Sequence, residues 1–346
     1  MTMINKVYNP NQASACFFRS SVYPPNYKVL LQITERCNFK CAHCFVNSTN
    51  SGNEMSIRHI RDKVIPNLVK SNVIKVTLTG GEPLVHKDII DIITALCDYN
   101  IAVSICTNGS LISESLLNAI SEYDNIHFNI SMDGLEYESH GRFRGDLDRF
   151  TFDKVIENAK LLGHLNLLNG ILTTPNKFAE IDEYDRLCDF ARNIGAKYIL
   201  MNPLSPFGRG CLTQPLAYSS EDMIMLRNQT RRYNTPDFEV VFIRFPNDEL
   251  PLSGCPLGSF PYIFTNGDVV ICPYLAFASE TDDSGYSPKD FVLYNVITDD
   301  LTISESIKSY TFPNGARIDL KGLEGKGCCA NKIAQHQPLD GFDYLF

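Results

Sequence analysis

Short apolar runs alternate with amphipathic stretches along the chain from residue 27 to about residue 202. The runs are rich in Val, Ile and Leu, as are strands buried on both faces of a sheet. Strands that alternate with helices form a parallel sheet with right-handed crossovers. The pattern therefore predicts an α/β fold, although periodicity alone does not separate a partial barrel from an open sheet. Six strands are predicted, over residues 27–33, 74–79, 102–107, 126–132, 166–172 and 197–202.

The stretches between the strands carry apolar residues at helical spacing. Gly195 follows the last of the apolar stripes and predicts the end of that helix. Pro66 lies inside the first stripe, where its ring should kink or shorten the helix. The stripes consist of Ile57, Ile60, Val64 and Leu68; of Ile89, Ile92, Ile93 and Leu96; and of Leu187, Phe190, Ala191 and Ile194.

Three regions are predicted along the chain: an N-terminal arm over residues 1–26, a core of strand–helix units over 27–215 and a C-terminal domain over 216–346. Asn266-Gly267 is a strong turn signal between two apolar pairs, and it predicts a two-residue hairpin turn. The elements predicted after the core are a helix near 221–233, a hairpin over 262–271 and a short helix over 302–310 in otherwise irregular chain.

The composition excludes several classes of protein. The 346 residues carry a net charge of −9, which argues against binding along a phosphate backbone, so no nucleic-acid partner is expected. No apolar run is long enough to span a bilayer or to form a signal peptide, so we expect neither a membrane nor an export role. Twelve cysteines in such a chain predict a reducing, cytoplasmic location and metal ligands rather than disulfides.

Three of the cysteines, Cys37, Cys41 and Cys44, lie within eight residues at C-x3-C-x2-C spacing. Three thiolates this close can bind three irons of a cubane cluster and leave the fourth iron open to a substrate or cofactor. The alternative is a zinc ion, but zinc takes a fourth ligand. His43 lies between two of the cysteines, where it is poorly placed to bind alongside them.

This loop, followed by Gly80-Gly81-Glu82-Pro83 at the end of a predicted strand, resembles the radical SAM superfamily. The resemblance implies a partial (β/α)6 TIM-like barrel and a [4Fe–4S] cluster whose open iron binds S-adenosylmethionine. It further implies reductive cleavage of that cofactor to a 5′-deoxyadenosyl radical, which abstracts a hydrogen atom from the substrate. A flavodoxin- or ferredoxin-type protein would supply the electron.

The resemblance also implies which residues bind S-adenosylmethionine. The glycine–glutamate segment would contact the methionine amino group, with the glycines allowing close backbone approach. The pattern Ser131-x-Asp133-Gly134 followed by His140 and Arg144 is similar to that of peptide-modifying members. Arg144 would pair with the cofactor carboxylate, with Arg142 as the rival. The predicted cofactor contacts are His43 near adenine, Gly80, Gly81, Glu82, Thr107, Asn108, Ser131 and Arg144.

A second group of cysteines surrounds the predicted hairpin. Cys255 and Cys272 flank it, and Cys328-Cys329 lie near the end of the chain. The spacing resembles the opening of SPASM and Twitch domains, but the later SPASM cysteine block is missing. The resemblance therefore implies a Twitch-like domain with one auxiliary [4Fe–4S] cluster, completed by Cys328, Cys329 or Cys211. Zinc on four thiolates, or buried structural cysteines, remain alternatives.

Cys97, Cys106 and Cys188 lie in apolar patterns and are predicted to pack in the core. No spacing singles out a general base, although Asp133 and His140 are candidates.

Two substrate classes follow from the resemblance. The first is a ribosomally synthesised peptide that undergoes oxidation or cross-linking, and the second is a small sugar or aminocyclitol alcohol that is dehydrogenated. An arm of 26 residues is too short for a leader-binding domain, so a separate protein could bind a leader peptide. A molybdopterin-precursor cyclase is disfavoured by the C-terminal cysteine spacing. A non-catalytic protein that only binds S-adenosylmethionine is the alternative from another class.

Overall fold

The structure is a computed structural model, and it describes residues 22, 25–243, 258, 260–280 and 284–311. The predicted ligands Cys255, Cys328 and Cys329 lie outside the described residues. Within the described part of the chain, no helix is long and apolar enough to cross a membrane.

Ten strands form one sheet in the order β10-β9-β8-β1-β2-β3-β4-β5-β6-β7. The strands β1 to β7 are mutually parallel and follow the order of the chain, which confirms the predicted α/β fold. Their bounds are β1 Tyr27–Thr34, β2 Val73–Gly80, β3 Ala102–Thr107, β4 Ile126–Ser131, β5 Leu168–Thr173, β6 Tyr198–Met201, β7 Glu239–Phe242, β8 Tyr262–Ile263, β9 Asp268–Val270 and β10 Val292–Asn295.

The strand β7 was not predicted, because it is only four residues long. It pairs in parallel with β6, with Ile199 opposite Val240. The prediction of six parallel strands was therefore one strand short. A strand this short is stabilised by its neighbour, which supplies the hydrogen bonds, more than by its own sequence.

The helices are α1 Ile57–His59, α2 Ile65–Lys70, α3 Ile89–Cys97, α4 Glu114–Ala119, α5 Arg149–His164, α6 Ile181–Asn193, α7 Ser220–Thr230, α8 Pro273–Ser279 and α9 Ile303–Ser309. Most of them pack on one face of this sheet, but α8 packs with Leu30, Leu172 and Val241 of the opposite face. Short 3-10 segments span Pro83–Val85, Gly208–Leu216, Arg231–Tyr233 and Pro288–Phe291, and wider π turns span Ile60–Val64 and Tyr137–Gly141.

Pro66 neither ends nor shortens its helix. The π turn Ile60–Val64 lies between α1 and α2, so the helical path is continuous from residue 57 to residue 70. Pro66 then occupies the first turn of α2. The wider π turn just before it makes room for the ring and removes the need for its missing amide hydrogen.

The two faces of the parallel sheet differ in character. Side chains such as Val29, Leu31 and Ile33 pack under the helices in the main core. The side chains that alternate with them point to the opposite face, and Gln32 and Thr77 make that face partly polar. In an open doubly wound sheet, helices would cover both faces and both would be apolar. The polar face instead fits the interior of a partial barrel.

The predicted hairpin is present, but its turn differs from the prediction. The backbone of Gly267 donates to Phe264, and Phe264 donates to Asp268, which makes a three-residue loop. Gly267 alone has a positive φ, +92°, whereas Asn266 does not. The connection is therefore a turn followed by a glycine bulge rather than a two-residue Asn-Gly turn. The hairpin extends the sheet beyond β1, because β8 pairs in parallel with β1.

Candidate active site

The cysteine loop, residues 35–54, follows β1 and carries the three clustered cysteines. Cys41 is buried, and Cys37 and Cys44 are half-buried; all three pack in a small apolar cluster with Phe39 and Leu147. The Phe39 amide donates to Cys37 Sγ over 3.3 Å. An amide donor to sulfur stabilises a thiolate, which is the form that binds iron. The loop thus presents three thiols from one compact turn of backbone.

Burial raises the pKa of two of these thiols. The pKa of Cys37 rises to about 12 and that of Cys41 to about 11, in both cases mainly because the thiolate is removed from water. The positive charge of Arg144 opposes the shift at Cys41. Ligand cysteines bind as thiolates, so metal binding at this loop must displace protons.

Arg209, which was not among the predicted site residues, clamps the cysteine loop from outside. Its side chain donates to the Cys41 carbonyl over 2.8 Å and to the Ser48 carbonyl over 2.7 Å. Gly208 has a φ of +53°, and a Cβ there would lie 2.5 Å from the Cys44 carbonyl oxygen. The Gly208-Arg209-Gly210 sequence was the signal available, because closely spaced glycines mark a close backbone approach.

The glycines that follow β2 meet the protein's own backbone. A Cβ on Gly80 would lie 2.1 Å from the Thr34 carbonyl oxygen, and a Cβ on Gly81 would lie 2.2 Å from that of Arg36. The amide of Gly81 donates to Thr34, and that of Glu82 donates to Arg36. The sequence predicted that these glycines let a ligand approach the backbone closely. In this structure the first residues of the cysteine loop make that close approach instead.

Glu82 is buried and joins the ends of two strands. Its Oε1 accepts from Thr107 Oγ1 over 2.7 Å and from the Leu84 amide, and its Oε2 accepts from the Asn108 amide over 2.7 Å. Burial raises the pKa of Glu82 to about 7, although these hydrogen bonds oppose the shift. The carboxylate is thus committed to the scaffold rather than directed at open space.

Thr107 and Asn108 are also committed within the chain, and both are buried. Asn108 Nδ2 donates to Asn38 Oδ1 over 2.9 Å, and Asn38 Nδ2 donates to Ser110 Oγ over 3.0 Å. These bonds attach the cysteine loop to the end of β3. Direct contact of Thr107 and Asn108 with S-adenosylmethionine stays a prediction. Their hydrogen bonds within the chain favour a supporting role for both residues.

Asp133 lies just beyond β4 and is fully buried. Its Oδ2 accepts from Arg144 Nε over 2.6 Å, and its Oδ1 accepts from the Thr174 amide over 2.7 Å. Its own amide donates to His140 Nδ1, and its carbonyl accepts from the Tyr184 hydroxyl. Burial works to raise the pKa of Asp133, but Arg144 together with smaller effects, among them the Thr174 amide bond, outweighs it and the pKa is lowered. A paired, ionised carboxylate is a poor candidate for a general base.

His140, the other candidate for a general base, is equally enclosed. Burial, with Arg144 next, lowers its pKa to about 3, so the ring is neutral. Its Nδ1 accepts the Asp133 amide, and its Nε2 has no partner among the described residues. The ring fixes the backbone at Asp133 and is not exposed to a substrate.

The rival arginines have different environments. Arg144 is buried, pairs with Asp133 and directs Nη1 to Cys41 Sγ at 3.8 Å. Arg142 is exposed and lies over the Phe178 ring, 4.4 Å from its centroid. Of the two arginines, Arg144 is the one that reaches the cysteine loop.

His43 does not face solvent. Its ring stacks on Phe143 with centroids 4.5 Å apart and planes 12° apart. Its Nε2 lies 3.9 Å from Asp133 Oδ2, and its Nδ1 is buried with no partner among the described residues. Burial lowers the pKa of His43 to about 4, so the ring is neutral. Its predicted contact with adenine stays a prediction.

Ser131 ends β4 and is half-buried. Its hydroxyl makes no hydrogen bond to any part of the chain that the structure describes. Of the predicted cofactor contacts, Ser131 is therefore one with a polar atom still free to bind a ligand.

Unpaired polar atoms also line the inner face of the sheet. Gln32 Oε1, Thr77 Oγ1, Asn202 Oδ1 and the Tyr262 hydroxyl are buried and have no hydrogen-bond partner within the described ranges. Tyr262 and Thr77 both lie opposite Leu30 in register, on strands either side of β1. Buried polar atoms are normally paired, so a row of unpaired ones indicates a place for a polar ligand or water.

The donors present fit an iron–sulfur cluster with a polar ligand beside it better than a single metal ion. Among the described residues, no three His, Cys, Asp or Glu side chains converge closely enough to hold one ion. A zinc ion would require thiolates about 2.3 Å from a single point, whereas a cubane spreads its ligands over separate irons. The unpaired polar atoms on the inner face of the sheet can form hydrogen bonds with a polar cofactor or substrate.

The remaining described cysteines are scattered. Cys97 and Cys188 are buried in α3 and α6, as predicted. Cys106 instead lies on the inner face of β3, where Asn129 Nδ2 is 3.8 Å from its sulfur. Cys211 is exposed, in the segment that clamps the cysteine loop, and Cys272 is buried at the start of α8. Whether either belongs to an auxiliary cluster stays a prediction.

An aromatic cluster joins the region of Cys272 to the cysteine loop. Phe45, which follows Cys44, meets Phe277 of α8 edge to face with centroids 5.2 Å apart, and it also meets Tyr274. Tyr274 in turn contacts Phe207, just before the clamp. The two cysteine-bearing elements therefore pack against a shared apolar core.

The family of the chain follows from comparison with known proteins. A family model described as the radical SAM superfamily matches residues 31–190, which include the cysteine loop. The chain is 30% identical over 256 residues to the uncharacterized protein MJ0907 of Methanocaldococcus jannaschii, covering 71% of this chain and 85% of that protein. The chain belongs to the radical SAM superfamily. The [4Fe–4S] cluster and S-adenosylmethionine predicted for it are the cofactors of this superfamily.

Two further similarities are to a bacteriocin biosynthesis protein and to a protein whose crystal structure contains a precursor peptide. The chain is 25% identical over 284 residues to AlbA, the antilisterial bacteriocin subtilosin biosynthesis protein of Bacillus subtilis, covering 81% of this chain and 59% of AlbA. The fold is similar to that of Streptococcus suis SuiB in its complex with the precursor peptide SuiA. The TM-score is 0.66 at 20% identity, covering 90% of this chain and 74% of SuiB.

We predict that Gly81→Ala destabilises the cysteine loop. The new Cβ would lie 2.2 Å from the Arg36 carbonyl, so the loop or β2 must shift, at a cost of about 1–3 kcal/mol. Iron bound after anaerobic reconstitution should fall together with the free energy of unfolding. Gly285→Ala is the control, because a Cβ there meets nothing within 4 Å and only backbone strain is added. Equal iron content in the two variants would contradict the prediction.

We predict that Tyr262→Phe does not destabilise the ligand-free protein, because the buried hydroxyl has no partner to lose among the described residues. The matched control is Tyr294→Phe, since the Tyr294 hydroxyl donates to Asn67 Oδ1 over 2.7 Å. That variant should lose about 1–3 kcal/mol. Chemical denaturation measures both values. A comparable loss in Tyr262→Phe would show that its hydroxyl is bonded to another group of the protein itself.

Proposed function

We propose that this protein cleaves S-adenosylmethionine reductively and uses the resulting 5′-deoxyadenosyl radical to abstract a hydrogen atom from a ribosomally synthesised peptide. The observation that carries the proposal is the site itself. A loop of three cysteines is fixed to the ends of parallel strands, beside an inner face with unpaired polar atoms. The carboxyl ends of strands in such sheets are where α/β enzymes bind their ligands.

In this proposal the cluster is held by Cys37, Cys41 and Cys44. When bound, it supplies the electron that cleaves the sulfonium of S-adenosylmethionine. Ser131 provides a free hydroxyl for the cofactor at the end of β4. Glu82 and its partners hold the loop in place, and the apolar surroundings of Phe39 keep water away from the thiolates.

The choice of a peptide as substrate is supported by the relatives. AlbA is named for the biosynthesis of subtilosin, and SuiB was crystallised with its precursor peptide. The inner face is also suited to peptide groups. Gln32 Oε1 can accept from an amide N–H, and the Tyr262 hydroxyl can donate to a carbonyl. The outcome would be an oxidation or a cross-link.

An auxiliary [4Fe–4S] cluster would complete the site, with Cys255 and Cys272 as ligands and with Cys328, Cys329 or Cys211 completing it. Its position is supported by the burial of Cys272 at the start of α8 and by the aromatic packing of that helix on Phe45. Such a cluster can take up the electron that remains on the substrate after hydrogen abstraction. The Twitch-like region would span residues 216–346, after a core of 27–215 and an arm of 1–26.

The proposed partners follow from this chemistry. A flavodoxin- or ferredoxin-type protein would donate the electron, and a separate protein could present the leader of the peptide. We place the reaction in the cytoplasm, since iron–sulfur thiolates require reducing conditions.

We predict that Cys37→Ala, Cys41→Ala and Cys44→Ala each abolish formation of 5′-deoxyadenosine under a strong reductant. Each variant removes one ligand of an iron. The buried Cys97 provides a matched control, and Cys97→Ala should retain the activity. Measurable 5′-deoxyadenosine from any loop variant would contradict the assignment. A wild-type protein that binds the cofactor without cleaving it would favour the non-catalytic alternative.

We predict that Cys272→Ala retains cleavage of S-adenosylmethionine but yields no modified peptide. Reconstituted iron should fall from about eight to about four per chain. The peptide product is followed by mass spectrometry, as a loss of hydrogen, in reactions with candidate peptides. Unchanged iron in Cys272→Ala would mean that this cysteine is structural.

A further inference from the structure

We infer that Arg144 raises the reduction potential of the cluster through a charge-assisted hydrogen bond to Cys41, and that Asp133 is the positioning residue that directs it there. The inference rests on the proposed function only in taking Cys41 as a cluster ligand. It differs from the predicted pairing of Arg144 with the carboxylate of S-adenosylmethionine, because it concerns the cluster with no cofactor bound.

The geometry of the guanidinium supports this assignment. Its Nε is bonded to Asp133 Oδ2 at 2.6 Å, so the plane of the group is fixed from one side. Its Nη1 then points at Cys41 Sγ, 3.8 Å away. Arg144 is 7% exposed and Asp133 is 0% exposed, so neither charge is screened by bulk water.

Hydrogen bonds to three other residues fix Asp133 in place, so it cannot move together with Arg144. The Thr174 amide occupies its Oδ1, the Tyr184 hydroxyl binds its carbonyl, and its own amide is bound to His140. These contacts come from three different elements of the chain. The carboxylate is therefore a fixed point from which Arg144 extends towards the cysteine loop.

The sign of the effect follows from the order of the charges. The cation directs an N–H at Cys41 Sγ, whereas the hydrogen bonds of the Asp133 carboxylate go to Arg144 and to the Thr174 amide. Reduction adds a negative charge to the cluster, and a cation at the ligand sulfur stabilises that charge. Hydrogen bonds to cluster sulfurs are an established means of tuning potential. Removal of the cation should therefore make the cluster harder to reduce.

The decisive measurement is the midpoint potential of the reconstituted protein without S-adenosylmethionine, from a redox titration followed by electron paramagnetic resonance. The protein carries Cys272→Ala in every sample, so that the loop cluster alone is titrated. Arg144→Gln should lower the ratio of reduced to oxidised cluster about tenfold at a fixed potential, which is a shift of about 59 mV. Arg144→Lys, which keeps the charge, should recover part of the shift.

The control is Arg142→Gln, two residues away and exposed on the Phe178 ring. It removes the same charge without touching the cysteine loop, so its midpoint should match that of the parent. If Arg144→Gln fails to hold iron, Arg144→Lys carries the test. Its ammonium keeps the charge but cannot reproduce the planar fork that bonds Asp133 and Cys41 together, so its midpoint should lie below the parent's. A midpoint equal to the parent's would then overturn the inference.

An unchanged midpoint in Arg144→Gln, with iron content intact, would overturn the inference. A weaker affinity for S-adenosylmethionine in the same variant would then return Arg144 to the cofactor carboxylate. Absence of iron from the parent protein would instead refute the proposed function, so the two failures are distinguishable.

Discussion

The site depends on one close contact between backbones. At Gly80 and Gly81 the end of β2 lies directly against Thr34 and Arg36, with no room for a side chain on either glycine. Two amide hydrogen bonds cross this contact. The cysteine loop therefore leaves β1 in a fixed direction, and its thiols are held against a rigid sheet instead of hanging from a free loop. Preorganisation of this kind reduces the entropy that must be lost when ligands gather round a cluster.

Charged groups are buried around this contact at considerable cost, and each is compensated locally. Glu82 is bonded to three groups of the β2 and β3 ends, and Asp133 to Arg144 and to backbone. Buried ion pairs often add little to stability, because desolvation offsets their attraction. Their retention here is better explained by geometry, since they fix where the strand ends lie relative to the cysteines.

Much of the fold could be read from sequence, because its strands are buried and its helices are amphipathic. The strand Ala102–Thr107 begins and ends where predicted. The strand Glu239–Phe242 could not be found, because four residues carry too little pattern. The turn at Gly267 was misjudged because Asn-Gly suits more than one hairpin type, and only the backbone φ values distinguish them.

The cysteines of the site were evident from spacing alone, whereas the groups that hold them were not. Arg209 lies 168 positions after Cys41 in the sequence, and no local pattern marks a contact over that separation. Glu82 was recognised by its motif, but its bonds to Thr107 and Asn108 depend on the register of β2 and β3. Sequence thus identified the chemistry, and the topology determined which residues support it.

The unpaired oxygens on the inner face bear on how the protein would discriminate between molecules. In the free protein, water must satisfy Gln32, Thr77 and Tyr262, and a bound molecule must replace that water. A molecule that replaces every hydrogen bond made by this water loses little binding free energy when it enters. One that lacks a single matching group leaves a buried oxygen unsatisfied and is rejected far more strongly than one that differs by a methyl group. Selectivity between molecules would then arise from the free-energy cost of leaving a buried oxygen unpaired when the wrong molecule binds.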